Sequence, residues 1–298
     1  MPSPRTLLAA TDFSAPARHA MERAALVAQA HPDVQLTLVH VVSESALDRL
    51  RRLLPAEAGG LETGLRAQAG QALAELATNL AARYGTRLTT ELIHGSPLGT
   101  ICDLAEARDA DLLVMGARGT HFVREMLLGS TTERVLSKSR RPLLAVKQRP
   151  QAPYRRILAP VDFSAHAVAA VNTAHAWFPD ADIVLLHAFE VDIESTLQLA
   201  GLSDAQIHAY RIHAREAAMT EMEAFVARLD VPPARLTRQF VRGAATLRII
   251  EHEQTMDADL VVMGKHGQSV MEELLLGSVT KHVLAHSASD ILVASQPA

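Results

Sequence analysis

Two stretches of the chain carry the same arrangement of glycines. Gly116-Ala117-Arg118-Gly119 is followed after nine residues by Gly129-Ser130, and Gly264-Lys265-His266-Gly267 is followed after nine residues by Gly277-Ser278. The pattern G-x-x-G-x9-G-[S/T] suits phosphate binding, because backbone N–H groups reach phosphate oxygens only where no Cβ intervenes and where a positive φ costs little. The closing Gly-Ser pair is expected to open a helix, so that its free N–H groups and hydroxyl meet an anion at the positive end of the helix dipole. Isolated glycines commonly do no more than turn the chain, and the triple spacing argues against that here. Neither standard nucleotide fingerprint fits. Gly264-Lys265 has no earlier glycine at the P-loop distance and is followed by His266 rather than Ser or Thr, and Thr11-Asp12-Phe13-Ser14 stands where a G-x-G-x-x-G turn is needed.

Asp12 and Asp162 sit where a first strand gives way to a first helix. On local grounds each is equally a turn or N-cap aspartate and a carboxylate reaching a ribose hydroxyl or base edge; the distant glycines tip the reading to the second. Fourteen histidines raise a metal hypothesis, with His208 and His213, or His282 and His286, as the pairs on helices, but no spacing fixes a third ligand. His40 and His187 end matching strands and read as packed or hydrogen-bonded residues. The single cysteine, Cys102, excludes an intrachain disulfide and reads as a small core residue on an amphipathic helix. Met126-Leu127-Leu128 and Leu274-Leu275-Leu276 read as domain packing.

The glycines are positioned by a duplicated scaffold. Asp109 to Leu136 returns as Asp257 to Leu284, 148 residues later, with 16 of 28 positions identical. Leu7 to Ser14 likewise matches Ile157 to Ser164. A period of this size is domain duplication, with domains expected at 1–149 and 153–298 and a linker from Gln148 to Pro153. Within each copy, short apolar runs alternate with segments of helical periodicity, the sequence form of β-α-β units. Strands are expected near 5–10, 35–42, 87–93, 111–115 and 142–147, and again near 156–160, 182–189, 235–241, 259–263 and 290–295. Helices are expected near 16–30, 61–83, 97–107 and 130–138. The fold class is α/β: two tandem doubly wound five-stranded parallel-sheet domains, whose ligands bind outside the carboxyl ends of the strands.

Composition excludes several classes. At 298 residues, 48% hydrophobic and 21% charged, the chain reads as folded and globular. A formal charge of −4 with no polybasic tract gives no sign of a nucleic-acid or membrane partner. The apolar run at Leu7 to Ala10 is too short for a signal-peptide core, so a cytoplasmic location is expected.

Taken together, the strand-end Asp-Phe-Ser, Leu38 to Val41, Val-Met-Gly, the glycine pattern and the closing Pro-Leu-Leu-Ala-Val-Lys strand resemble the universal stress protein (UspA-like) family, in two tandem copies covering nearly the whole chain. The resemblance implies sheet order 3-2-1-4-5, an internal pseudo-dimer joined through the last strands, and ATP, with magnesium, as ligand of the members that carry these glycines. Carried over by position, Gly116, Gly119, Gly129 and Ser130 would hold the phosphates, with Arg118 and Thr131 beside them. Thr11 and Asp12 would meet the ribose or base, and the main chain at Val41 and Met115 would frame the adenine. The matching second-half positions are Val161, Asp162, Ala188, Met263, Gly264, His266, Gly267, Gly277, Ser278 and Val279. Arg118 becomes His266, which turns a permanent charge into a pH-dependent one. Pro97 becomes Ala245, and Pro142 becomes Asp290, which is expected to loosen the joining of last strands.

The function this implies is a stress-response sensor or regulator occupied by adenine nucleotide, with a homodimer of the tandem chain compatible and no protein partner identified. A slow ATPase is the second reading, although no residue is placed to orient an attacking water and His266 is the one pocket base to nominate. A nucleotide-independent interaction scaffold or a metal-binding stress protein is the third, and the intact glycine motif argues against it.

Overall fold

The computed structural model describes residues 4–54, 58–118, 129–189, 203–267 and 276–294. The chain divides into two compact units, the first ending at Pro153 and the second beginning at Tyr154. In the first, β1 (Thr6–Ala10), α1 (Ala15–Ala30), β2 (Gln35–Ser43), α2 (Glu44–Leu53), α3 (Ala58–Tyr84), β3 (Leu88–Gly95), α4 (Pro97–Ala107), β4 (Leu112–Gly116), α5 (Ser130–Lys138) and β5 (Leu143–Val146) follow one another. The second runs β6 (Arg156–Pro160), α6 (Ala165–Trp177), β7 (Asp182–Phe189), α7 (Asp204–Val226), a 3₁₀ turn (Pro233–Arg235), β8 (Leu236–Arg242), α8 (Ala245–Thr255), β9 (Leu260–Gly264), α9 (Ser278–His286) and β10 (Asp290–Ala294). Each half forms a parallel sheet, β3-β2-β1-β4-β5 in one and β8-β7-β6-β9-β10 in the other. Both have the expected α/β class and the order 3-2-1-4-5.

Burial explains this order. Every residue of β4 is buried, as are Leu7 to Ala10 of β1, so apolar runs covered on both faces occupy the sheet interior. The outer strands β3 and β8 are partly exposed and carry polar residues such as Thr89, Thr90 and Arg238. The repeated Asp-Ala-Asp is structural. Asp109 and Asp257 take φ of 50° at the ends of α4 and α8, where aspartate tolerates the left-handed region better than most residues. The second aspartate of each triplet then pins the first strand: Asp111 Oδ2 accepts from the amides of Arg5 and Thr6 at 2.8 and 2.9 Å, and Asp259 Oδ2 from those of Arg155 and Arg156, both at 2.9 Å.

Helix α2 was not expected from the sequence. Its leucines recur with helical spacing, Leu47, Leu50 and Leu54, yet Leu47 alone is buried; Arg51 ties the helix together by pairing with Glu44 and Asp48 and with Glu62 of α3. Asp290 accepts a hydrogen bond from a residue of its own half. It is 1% exposed, and the buried Tyr154 hydroxyl donates to its Oδ2 at 2.5 Å while the Tyr154 ring meets Phe178 edge-on at 4.9 Å.

One helix residue makes the second half sensitive to acid. His175 of α6 has its Nδ1 buried without a hydrogen-bond partner, and burial, reinforced by Arg235, holds its pKa below the ordinary 6.5. The unfolded chain therefore takes up this proton first, so the associated stability is present above pH 6.5 and is lost as pH falls through the lowered folded value. The fluorescence of Trp177, the single tryptophan and 2% exposed, reports on the same helix. Its melting temperature is expected to fall between pH 7 and pH 5, and His175→Gln is expected to flatten that fall.

Candidate functional site

The turn after the first strand is built identically in both halves. Asp12 Oδ1 accepts from Ser14 N at 3.0 Å, and Asp162 Oδ1 from Ser164 N at 3.1 Å. The N-caps of α1 and α6 are Ser14 and Ser164, whose hydroxyls accept from the amides of Ala17 and Ala167. One oxygen of each aspartate thus holds the turn, and capping the helix belongs to the serine two residues on. Between them stands a phenylalanine with positive φ, 62° at Phe13 and 63° at Phe163. A bulky side chain in that region is strained by about 1–2 kcal/mol. The ring is held in place by a histidine from the neighbouring strand: Phe13 lies 4.3 Å from His40, and Phe163 stacks at 4.3 Å on His187. The same imidazoles donate from Nδ1 to the carbonyls of Thr11 (2.8 Å) and Val161 (2.9 Å). A carbonyl only accepts, so Nδ1 carries the proton.

The second half encloses a cavity of about 280 Å³ at the carboxyl ends of its strands, close to the lower bound of about 300 Å³ for small-molecule sites. Val161 and Asp162 line it from the end of β6, Ala188 from β7, Met263, Gly264, His266 and Gly267 from β9 and the loop after it, and Gly277, Ser278 and Val279 from the start of α9. Every second-half position expected from the sequence meets here. The sequence reading missed Leu186, Ile249 and Thr280, which also line it. Thr280 had a visible signal, since Gly-Ser-x-Thr occurs in both halves. Its hydroxyl donates to Gly264 O at 3.0 Å, as that of Thr132 does to Gly116 O at 2.8 Å, tying the last helix to the fourth strand.

The glycines divide into two kinds. A Cβ on Gly264 would lie 3.0 Å from the His166 carbonyl carbon, and one on Gly116 would lie 3.0 Å from Pro16 and from the Ala17 amide. These two are bare because a helix N-terminus packs directly on the strand end. Gly277 is different. With φ −58° and ψ 149° its backbone suits any residue, and a Cβ there would make only ordinary contacts at 3.7–3.8 Å. Its amide is already used, donating to Lys265 O at 3.1 Å, as Gly129 donates to Ala117 O at 2.7 Å. The donors left for a ligand are those of the first helical turn, Ser278, Val279 and Thr280, with Ser130, Thr131 and Thr132 as their first-half counterparts. Around them stand Asp162, half-buried, and Lys265 and His266, 5% and 6% exposed.

In the first half, Thr11 is buried and its Oγ1 accepts from Phe13 N at 3.0 Å. Parallel pairing sets Ala10 beside Val39 on one side and Met115 on the other, which brings the strand ends carrying Asp12, Val41 and Gly116 together. Arg118 and Ser130 are exposed. Gly119 and Met126-Leu127-Leu128, like Leu274 and Leu275, lie outside the described residues. Among the described residues no three metal-ligating side chains converge, and no helix is long and apolar enough to cross a membrane. His286 donates from Nδ1 to His282 O at 2.9 Å, and the two rings stack at 4.1 Å.

A duplicated α/β sheet with this turn and these glycines is the architecture of one family, and the chain belongs to it: the universal stress protein family matches residues 4–147 and again 153–295, two domains in tandem. The chain is 26% identical to a universal stress protein of Mycolicibacterium smegmatis across 96% of both proteins. It is 33% identical to one from Methanocaldococcus jannaschii over 117 residues, 39% of this chain and 66% of that relative. A crystal structure of a universal stress protein from Archaeoglobus fulgidus superposes with a TM-score of 0.68 at 19% identity, covering 98% of both chains. A putative one from Pseudomonas aeruginosa gives 0.60 at 18% identity, over 98% of this chain and 93% of the other. At those identities the structural likeness speaks for the fold.

Proposed function

We propose that each half binds an adenine nucleotide, ATP together with magnesium, and that occupancy of these sites makes the chain a sensor or regulator in a stress response. The observation that carries this reading is the meeting of ten expected positions around one cavity, beside first-turn amides of α9 that the helix's own hydrogen-bond ladder leaves unused. The residues present fit the group. A Cβ at Gly277 has room, so the bare backbone there leaves space for phosphate oxygens, and the first turn of α9 supplies three amides and the Ser278 hydroxyl. Asp162 would accept from the ribose with the oxygen that approaches Gly267, and the main chain of Ala188 and Met263 would frame the adenine. The first half would use Ser130, Thr131 and Thr132, Asp12, Val41 and Met115 in the same way, with Arg118 beside the phosphates. Magnesium supplies neutralising charge to the phosphate chain. Regulation then follows from differential affinity, since ATP shifts a conformational equilibrium only as far as it binds one state better than the other.

The test begins with freshly purified protein, denatured so that any released small molecule is identified. Emptied protein is then titrated with Mg-ATP by calorimetry. About two ATP per chain are expected. Absence of adenine nucleotide, with no binding heat at several temperatures, would overturn the reading and favour an interaction scaffold.

A further inference from the structure

The two halves differ in what stands beside the expected phosphate position. The first has Pro16 in the opening turn of α1 and Arg118 after β4; the second has His166 in the opening turn of α6 and His266 after β9. His266 lines the cavity and is 6% exposed. His166 packs its Cβ against the strand end at Gly264, and the two imidazole rings meet edge to face with centroids 5.3 Å apart. Two imidazoles, a side-chain type that can carry or lose a proton near neutral pH, thus stand where the first half has a proline and a guanidinium that is always charged.

Among the described residues, the other charged or titratable groups here are few. Asp162, on the loop after β6, holds its turn through Oδ1. Lys265, adjacent to His266, is buried. His187 of β7 donates from Nδ1 to Val161 O, a bond that survives protonation at Nε2. On α9, Lys281 is exposed and His282 stacks on His286, and neither lines the cavity. From α8, Ala245 and Ile249 are the lining residues, and Arg248 pairs with Glu251. Glu253 and Asp290 lie toward the amino ends of the strands, away from the cavity.

We infer that His166 and His266 make the second cavity a proton-sensing phosphate site, which holds a nucleoside polyphosphate more tightly at pH 6 than at pH 8 and takes up about one proton on binding. The inference rests on the nucleotide reading above and adds its regulation. A polyphosphate next to an imidazole favours the charged ring, and the charge-assisted hydrogen bond so formed is roughly twice as strong as a neutral one. Linkage is reciprocal: a ligand that raises proton affinity is itself bound more tightly when protons are plentiful. Two imidazolium rings at this separation repel, so the pair gains one charge rather than two. At the position of His266 the first half has Arg118, whose charge does not change in this pH range. One chain would then carry a site whose occupancy reports nucleotide and a second that reports nucleotide and acidity together.

The experiment is a calorimetric titration of the full chain with Mg-ATP at pH 6, 7 and 8, in two buffers of different ionisation enthalpy, so that proton uptake is counted. Wild type is compared with His266→Gln, His266→Arg and the His166→Gln/His266→Gln double variant, each checked for folding by Trp177 fluorescence at pH 6. The nucleotide's own phosphates titrate alike in all four, so differences belong to the histidines. Expected for wild type are one site that weakens about tenfold from pH 6 to pH 8 and one that does not. His266→Arg is expected to bind tightly at pH 8 without the extra proton, and the glutamine variants to lose both the pH response and the uptake. Binding with the same pH response and proton count in wild type and glutamine variants overturns this inference alone. No binding at any pH overturns it together with the nucleotide reading.

Discussion

A valine at Gly277 is expected to weaken ATP binding at the second site by at least about 100-fold, roughly 2.7 kcal/mol, while the protein stays folded and the first site stays filled. The protein itself has no need of glycine here. The backbone is in an ordinary extended conformation, and a Cβ would sit 3.7 Å from Lys265 O and Thr280 Oγ1. Valine is a poorer N-cap than glycine and costs α9 about 1 kcal/mol, a small drop in melting temperature for a half of this size. Its two methyl groups would cover the amides of Ser278 and Val279, the donors a phosphate needs. The other glycines of the motif are weaker tests. A Cβ on Gly264 meets backbone at 3.0 Å, so a substitution there disturbs the packing of α6, and one on Gly267 meets Asp162 Oδ2 at 2.9 Å and displaces a second site residue. Calorimetric stoichiometry decides the matter: a fall from about two ATP per chain to about one supports the assignment, and an unchanged value with a folded variant removes Gly277 from the site.

The same glycines show how far a sequence carries such an argument. Their spacing, with the repeated flanking segment, points to a phosphate-binding loop, and the family resemblance, carried over by position, names ten residues of the second half that line a single cavity, since strand ends and helix starts in a doubly wound sheet are fixed by topology. The reason for each glycine was not legible. Gly116 and Gly264 answer to a helix packing on the strand, a contact made with residues about 100 positions earlier in the chain. The aspartates read equally as turn or cap residues and as ribose ligands; each holds its turn, and the capping belongs to Ser14 and Ser164 in the same tetrapeptide. Phe13 and Phe163 could not be foreseen at positive φ, since what holds them there is a histidine from the next strand. Helix α2 was missed although Leu47, Leu50 and Leu54 recur with helical spacing, a short segment with Leu47 alone buried. The strands were the most legible elements, since runs such as Leu112 to Met115 are buried on both faces and tolerate nothing polar.

Replacing Glu253 with alanine is expected to destabilise the second half by about 3–5 kcal/mol, because several buried donors lose their acceptor at once, each at about 1–3 kcal/mol. The side chain is 3% exposed. Its Oε1 accepts from Ser287 Oγ at 2.9 Å, Ala288 N at 2.8 Å, and the amide and hydroxyl of Ser289, both at 2.7 Å. One carboxylate therefore organises the whole turn from α9 into β10. Alanine would leave buried donors unpaired, each at about 1–3 kcal/mol, and would open a cavity. The first half shows that the turn can form otherwise: Ala105 stands at the matching position, and the Arg141 amide donates to Ser139 Oγ at 3.0 Å. The variant should accordingly fold and lose stability rather than topology. Glu253→Gln keeps the accepting oxygen but places an amide nitrogen where Oε2 has no hydrogen-bond partner, so an intermediate loss is expected. Urea unfolding followed by Trp177 isolates this half, and a shift below about 1 kcal/mol for the alanine variant, less than a single unpaired donor should cost, would show that the turn holds without the carboxylate. The consequence reaches the site as well, since Glu253 anchors the far end of the helix whose Ala245 and Ile249 line the cavity. A loosened α8 is expected to weaken nucleotide binding in the second half without any change to a residue that touches the ligand.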